Sequence, residues 1–344
     1  MAYSNVGTPV FYIDNYLYHN TIGTSFTKGT PTDVYNLKPA VAVDVGTQYE
    51  DGSFDFKIHL PLSPINYNLN GNMKYYIALL NHNLFSGSGG MNAMAIIHDS
   101  SGSHVTIDFI GTYMYPQMVD GTTIITTSVA HDTLYYKWNI GDYFRLGAVS
   151  TGIQYTMPQS PDLDVSMEIE FDGIKTIKTS GGGSLSNVKY SGNPLWINGD
   201  FKTNPFDVHW GVELDNLNNV KTSGARRNGR KTWSLKFTYM SDEDLFSSNP
   251  GATKWTSFFN SDELNSDDVT GTNNDMLYYN IETDDSFYAQ VWNKTLGGAL
   301  PFIFQPNSND GDDLYICKFD QKSLKVSQSA YKVYDVELKI EEVW

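Results

Sequence analysis

The chain is 344 residues long, 40% hydrophobic and only 18% charged, with a formal net charge of -16. That balance excludes the disorder signature of few apolar groups among many charges, and the acidity argues against a nucleic-acid backbone or an anionic membrane as the main partner, since both are bound by clustered cations. One cysteine, Cys317, leaves no intrachain disulfide, and no Cys/His set has the spacing of a zinc site, so stability is expected from packing or assembly.

The opening, MAYSNVGTPVF, lacks the basic segment and apolar run of a secretory signal, and no stretch approaches the roughly 18 apolar residues of a membrane span, so assembly in a cytosol is expected. Period-2 alternation then dominates. FDFKIHL sets Phe54, Phe56, Ile58 and Leu60 against Asp55, Lys57 and His59. KYYIALLNHNL is an apolar run with Ile77 and Leu79 at its centre, closing on the turn-forming NHN. At TMPQSPDLD, Thr156 to Asp164, two prolines interrupt the strand pattern, and the chain is divided there into residues 1–160 and 161–344, at a length where single cores tend to give way to two. One interlocked β structure, its long loops folded over both sheets, is the alternative.

Beyond that boundary DVSMEIEF predicts a strand with Val165, Met167, Ile169 and Phe171 inward. TWSLKFTY places Trp233, Leu235, Phe237 and Tyr239 inward. Two helices are predicted, one capped by Ser241 with acids in its first turn and broken by Pro250, the other from Thr283 to about Leu296, ended by Gly297. The closing VYDVELKIEEVW puts Tyr334, Val336, Leu338 and Ile340 inward. Gly, Asn, Asp and Ser clusters such as NLNGN, SGSGG and SGGGS supply turns. The class is mainly β.

Catalytic chemistry finds no foothold. Glu168 and Glu170 lie on the wet face of a predicted strand rather than across a cleft, a nucleophile elbow, phosphate loop and dinucleotide fingerprint are absent, and His82, His98 and His104 fit no metal spacing. NSNDGDD and NSDDVTGTNND break the calcium-loop rule and read as solvated turns. No enzyme activity, cofactor or metal is expected. The feature that stands out is SGARRNGRKTWSLKF: Arg226, Arg227, Arg230 and Lys231 fall within six residues, while the rest of this acidic chain has one arginine, Arg145. A solvated hairpin tip needs no guanidinium fork, whereas contact between copies, one subunit's cations meeting its neighbour's carboxylates, uses it. These four residues are the predicted subunit interface.

IALLNHNL in the first half, with FDGIKTIKTSGGGSLSN, RRNGRKTWSLKFTYMSDEDLF, LGGALPFIFQPN and VYDVELKIEEVW in the second, resembles a group of virion structural proteins of tailed bacteriophages, usually described as tail or minor structural proteins. The resemblance implies an N-terminal jelly-roll-like β-sandwich of the galactose-binding type, then a β-sandwich domain with one or two helices like those of tail tube and distal tail proteins, which form rings. It implies a ring or adaptor protein of the distal tail or baseplate, assembled in the host cytoplasm, whose partners are copies of itself and other tail or neck proteins. The alternative is a carbohydrate-binding or capsid-decoration protein on the virion surface, with exposed aromatics in a groove of the first domain meeting a surface glycan.

Overall fold

In a computed structural model, the structure describes residues 7–13, 21–22, 26–37, 43–45, 53–59, 73–80, 94–98, 104–107, 123–127, 133–139, 144–170, 174–188, 213–214, 220–221, 230–246, 285–311 and 313–343. In chain order the first half contributes β1 Val10–Ile13, β2 Thr21–Ile22, β3 Phe26–Lys28, α1 Pro31–Tyr35, β4 Val43–Val45, β5 Ser53–His59, β6 Met73–Leu80, β7 Met94–His98, β8 His104–Ile107, β9 Thr123–Thr127, β10 Thr133–Asn139, β11 Phe144–Leu146 and β12 Ala148–Thr156. The second half contributes β13 Ser166–Glu170, β14 Ile174–Lys178, β15 Ser184–Val188, β16 Glu213–Leu214, β17 Val220–Lys221, β18 Arg230–Ser241, α2 Asp242–Leu245, a π-helix Tyr288–Asn293, β19 Phe302–Gln305, β20 Tyr315–Phe319, β21 Lys325–Ala330 and β22 Val333–Glu342.

The described strands are antiparallel throughout, and the largest sheet runs in the order β13-β18-β22-β20-β19-β1-β12-β6-β9, with β21 also on β22. Strands from both sides of residue 160 share it. The junction is β1, which pairs with β12 on one side, Phe11 opposite Tyr155, and with β19 on the other, Phe11 opposite Phe304. The segment that crosses the 160/161 boundary thus leads from β12 to β13, two strands of the same sheet. Smaller sheets are β2-β5-β10-β7-β8, β11-β4-β3 and the hairpins β14-β15 and β16-β17.

The middle of the large sheet is apolar on both faces because it is covered on both. All four residues of β1 are buried, and β6 buries Tyr75, Tyr76, Ala78, Leu79 and Leu80, residues that alternate between its two faces. On one face Phe11, Ile153, Tyr155, Phe302 and Phe304 pack with Trp233, Leu235, Phe237, Val336, Leu338 and Ile340 beneath Phe287, Val291 and Trp292 of the helical segment. The other face gathers Val10, Tyr12, Tyr76, Leu80 and Ile303 with Leu37, just past α1. There Tyr12 donates to Gln305 Oε1 at 2.7 Å, and the Tyr76 hydroxyl lies 2.7 Å from Ser150 Oγ. Buried hydroxyls thus find partners, as burial requires.

Three expectations need correcting. Tyr239 does not point inward: a bulge between Phe237 and Met240 shifts the pairing with β22, Met240 takes the buried place, and Tyr239 is left 76% exposed at φ +62°. Met167 and Ile169 share the core face with Trp233 and Lys231, their register partners, yet are exposed, because β13 is the outermost strand among the described residues and the core ends before it. The helix predicted around Phe287 is a π-helix over Tyr288–Asn293 in its described part, with Phe287 and Val291 both buried. Ser241 caps a single turn, accepting from the Asp244 N–H at 3.1 Å. Thr283, Pro250, Phe171 and NSDDVTGTNND lie outside the described residues, as do the side chains of FDFKIHL.

Candidate functional site

The inward phase of β18 that carries Trp233, Leu235 and Phe237 reaches back to Lys231, and that of β22 that carries Val336, Leu338 and Ile340 runs on to Glu342. Because Thr232 pairs with Glu341 and Cys317 pairs with Glu342, the two charged residues arrive together at one corner of the apolar face, beside β20. Glu342 is only 3% exposed. Its Oε2 accepts the Lys231 backbone N–H at 3.1 Å. The Lys231 ammonium donates to the Tyr315 hydroxyl and sits 4.3 Å from the centroid of that ring, while the hydroxyl donates to Asp313. Trp233 closes the corner, its ring 4.8 Å from Tyr315 and 5.4 Å from Phe304.

The chemistry of this corner is charge balance. A half-buried ammonium is held by a phenol face and hydroxyl, and the phenol passes the polarity on to a carboxylate. Burial, reinforced by the hydrogen bond to Asp313, pushes the Tyr315 hydroxyl well above its usual range. Burial also pushes up the Cys317 thiol, which leaves it inert rather than nucleophilic. Glu342 is raised by burial, against the pull of the Lys231 N–H, Lys231 and Arg230.

A raised carboxyl means that the fold favours the neutral acid. Its contribution to stability is full below the ordinary value near 4.5 and is lost as pH climbs through the higher folded value. Glu342→Gln, which keeps an acceptor for the Lys231 N–H, is therefore expected to stabilise the protein at pH 7 and to change little near pH 3. Urea unfolding at the two pH values checks this, and a loss of stability at pH 7 would mean that the fold favours the carboxylate instead.

The four predicted interface residues fall in three settings. Lys231 is committed to Tyr315 within its own chain. Arg230 is half-buried and lies across from Glu170 in the β13–β18 register. Arg226 and Arg227 lie outside the described residues. The two basic residues nearest the sheet thus root the basic segment where β18 begins. Of the other sequence candidates, Glu168 and Glu170 are exposed on β13. The turn at NSNDGDD is held by Gln305, whose Nε2 donates to the carbonyls of Asn307 at 3.0 Å and Asp310 at 2.8 Å. Among the described residues no group of three or more His, Cys, Asp or Glu could hold a metal ion, and no helix is long and apolar enough to cross a membrane. The corner itself is not visible in local spacing, although Lys231 continues the inward phase of Trp233, Leu235 and Phe237, and Glu342 that of Val336, Leu338 and Ile340.

The chain matches no protein-family model and no curated protein. A solved structure of a DUF4466 family protein from Parabacteroides merdae aligns with 94% of this chain and 99% of its own at 9% identity, but with a TM-score of 0.15 the likeness carries no inference.

Proposed function

We propose that the chain is a structural component of a tailed phage particle, a ring or adaptor protein of the distal tail or baseplate that works by contacts between its copies and with other tail or neck proteins. The observation that carries this reading is the end of the large sheet: β13 is exposed along its whole length, with Ile169 47% exposed, and β18 is its only strand neighbour among the described residues. An open edge with exposed apolar side chains is a liability in a monomer and a contact surface in an assembly. The resemblance of IALLNHNL, RRNGRKTWSLKFTYMSDEDLF and VYDVELKIEEVW to virion proteins supports the same reading. So does the gathering of arginines in an acidic chain.

In this account head-to-tail contacts between copies close by rotation into a ring. Arg226 and Arg227 meet carboxylates of the neighbour, while Arg230 and Lys231 fix the base of their segment. The finer fold belongs to the same proposal, a jelly-roll-like first half and a tail-tube-like second half built around the shared sheet. An antibody against this chain, applied to particles of the phage that encodes it, is expected to label the tail end. Label over the capsid would favour decoration, and unlabelled particles would overturn a virion role.

A second reading, glycan binding, has one observation in its favour. Tyr239 is held out by a left-handed backbone, an uncommon conformation for a bulky residue, and Tyr331 is 84% exposed at the turn between β21 and β22. Both lie in the second half rather than in the first 160 residues, where the sequence reading places the sugar. A glycan array probed with the full chain and with Tyr239→Ala/Tyr331→Ala decides it: signal that the double variant loses would support a sugar surface.

A further inference from the structure

The hairpin β14-β15 pairs with no other strand among the described residues. Its register runs from Ile174 opposite Val188 to Lys178 opposite Ser184, and its turn is closed by the Thr179 N–H to the Gly183 carbonyl at 2.8 Å and by Gly182 at φ +82°. A two-stranded hairpin alone is marginal in water and needs a third strand or a packed face. Ile177 is 53% exposed, so no such face covers that position.

Only residues 171–173 separate this hairpin from β13, a connection short enough for β14 to turn back along β13 within the chain. It does not do so, and β13 keeps β18 as its only described neighbour. The two pieces carry opposite charge. From 162 to 170 the chain holds Asp162, Asp164, Glu168 and Glu170 with no Lys or Arg, and Asp164, Glu168 and Glu170 are exposed. From 174 to 188 it holds Lys175 and Lys178 with no Asp or Glu, in a protein whose net charge is -16.

We infer that the basic hairpin β14-β15 of one copy adds to the acidic outer edge of β13 in the next copy, extending the large sheet from subunit to subunit. This rests on the assembly reading above and names the contact that carries it. Strand addition supplies the main-chain hydrogen bonds and apolar contact for Ile169 and Ile177, while the charges set direction and partner. The contact is head-to-tail, because hairpin and edge are different surfaces, and so it suits a ring.

A charge swap tests it in the full chain. Lys175→Glu/Lys178→Glu makes hairpin and edge both acidic, and Asp164→Lys/Glu168→Lys/Glu170→Lys, which leaves Asp162 as the edge's one acid against three lysines, makes both basic, so each variant alone is expected to need roughly tenfold more protein to assemble than the parent. An equimolar mixture restores complementarity at every contact and is expected to assemble like the parent, with the two variants alternating. Light scattering reads the mass, and circular dichroism checks the fold. Should a reversal variant misfold, the neutral versions Lys175→Gln/Lys178→Gln and Asp164→Asn/Glu168→Gln keep the test, each weakening assembly. Parent-like assembly of both single variants would overturn the hairpin contact while leaving assembly itself standing. So would weakening that mixing fails to rescue. A parent that stays monomeric at every concentration would remove the assembly reading and this contact with it.

Discussion

Phe11→Ala is expected to lower stability by about 3–5 kcal/mol, the cost of truncating a fully buried aromatic, and to do so for both halves of the chain at once. Phe11 belongs to the first dozen residues, yet its ring meets four others from beyond residue 280, with centroids 6.0 Å from Phe287, 5.6 Å from Phe302, 5.4 Å from Phe304 and 6.0 Å from Phe319. Domains of this kind are stable by only about 5–15 kcal/mol, so the loss is a large fraction of the whole. Urea unfolding followed by tryptophan fluorescence should show a lower midpoint with an unchanged slope. Buried tryptophans of the second half, Trp233 and Trp292, report it. If their transition stayed where it is in the parent, β1 would not be the element that ties the halves together.

The second large effect is expected at the end of the π-helix. Leu296, Gly297 and Gly298 are successive left-handed residues, at φ +53°, +66° and +90°, and they turn the chain sharply back toward β19. Thr295 holds the bend: its hydroxyl donates to the Val291 carbonyl at 2.8 Å and accepts the Gly298 N–H at 3.3 Å. A Cβ on Gly298 would lie 2.7 Å from Phe319 Cβ and 3.3 Å from its carbonyl oxygen, atoms fixed in β20 that cannot swing away. Gly298→Ala is expected to cost about 3 kcal/mol or more, combining overpacking with backbone strain. At Gly297 a Cβ would meet only the Trp292 ring at 3.7 Å, an ordinary contact, so Gly297→Ala should cost about 1 kcal/mol from backbone conformation alone. Thermal or urea unfolding of the pair separates the two effects. Equal costs would mean that Phe319 gives way.

Much of the second half is legible as alternation because its long strands have one buried face. Val336, Leu338 and Ile340 are inward as their spacing predicts, and extending that phase by one step reaches Glu342, a buried acid in plain view. Tyr239 departs from its alternation because a bulge inserts a residue without changing the local composition. Phe287 and Val291 sit four apart, a spacing that one turn of α-helix and one turn of π-helix both satisfy. The short α1 is not among the predicted helices although Thr30, Pro31 and Asp33 spell a capping box: the Thr30 N–H donates to Asp33 Oδ2 at 2.9 Å. Least legible was the sharing of one sheet by both halves. It depends on β1, four apolar residues whose partners lie at least 140 positions away on one side and more than 290 on the other. The corner of Lys231, Tyr315, Asp313 and Glu342 is the same kind of object, assembled by register between distant strands.

The measurement that tests the central claim most directly is the mass of the full chain in solution, by light scattering, at low and high salt. Assembly through complementary charges predicts a species larger than the 38.6 kDa monomer at low salt that loosens as salt screens the contacts. A mass of one chain at every salt and protein concentration would contradict it.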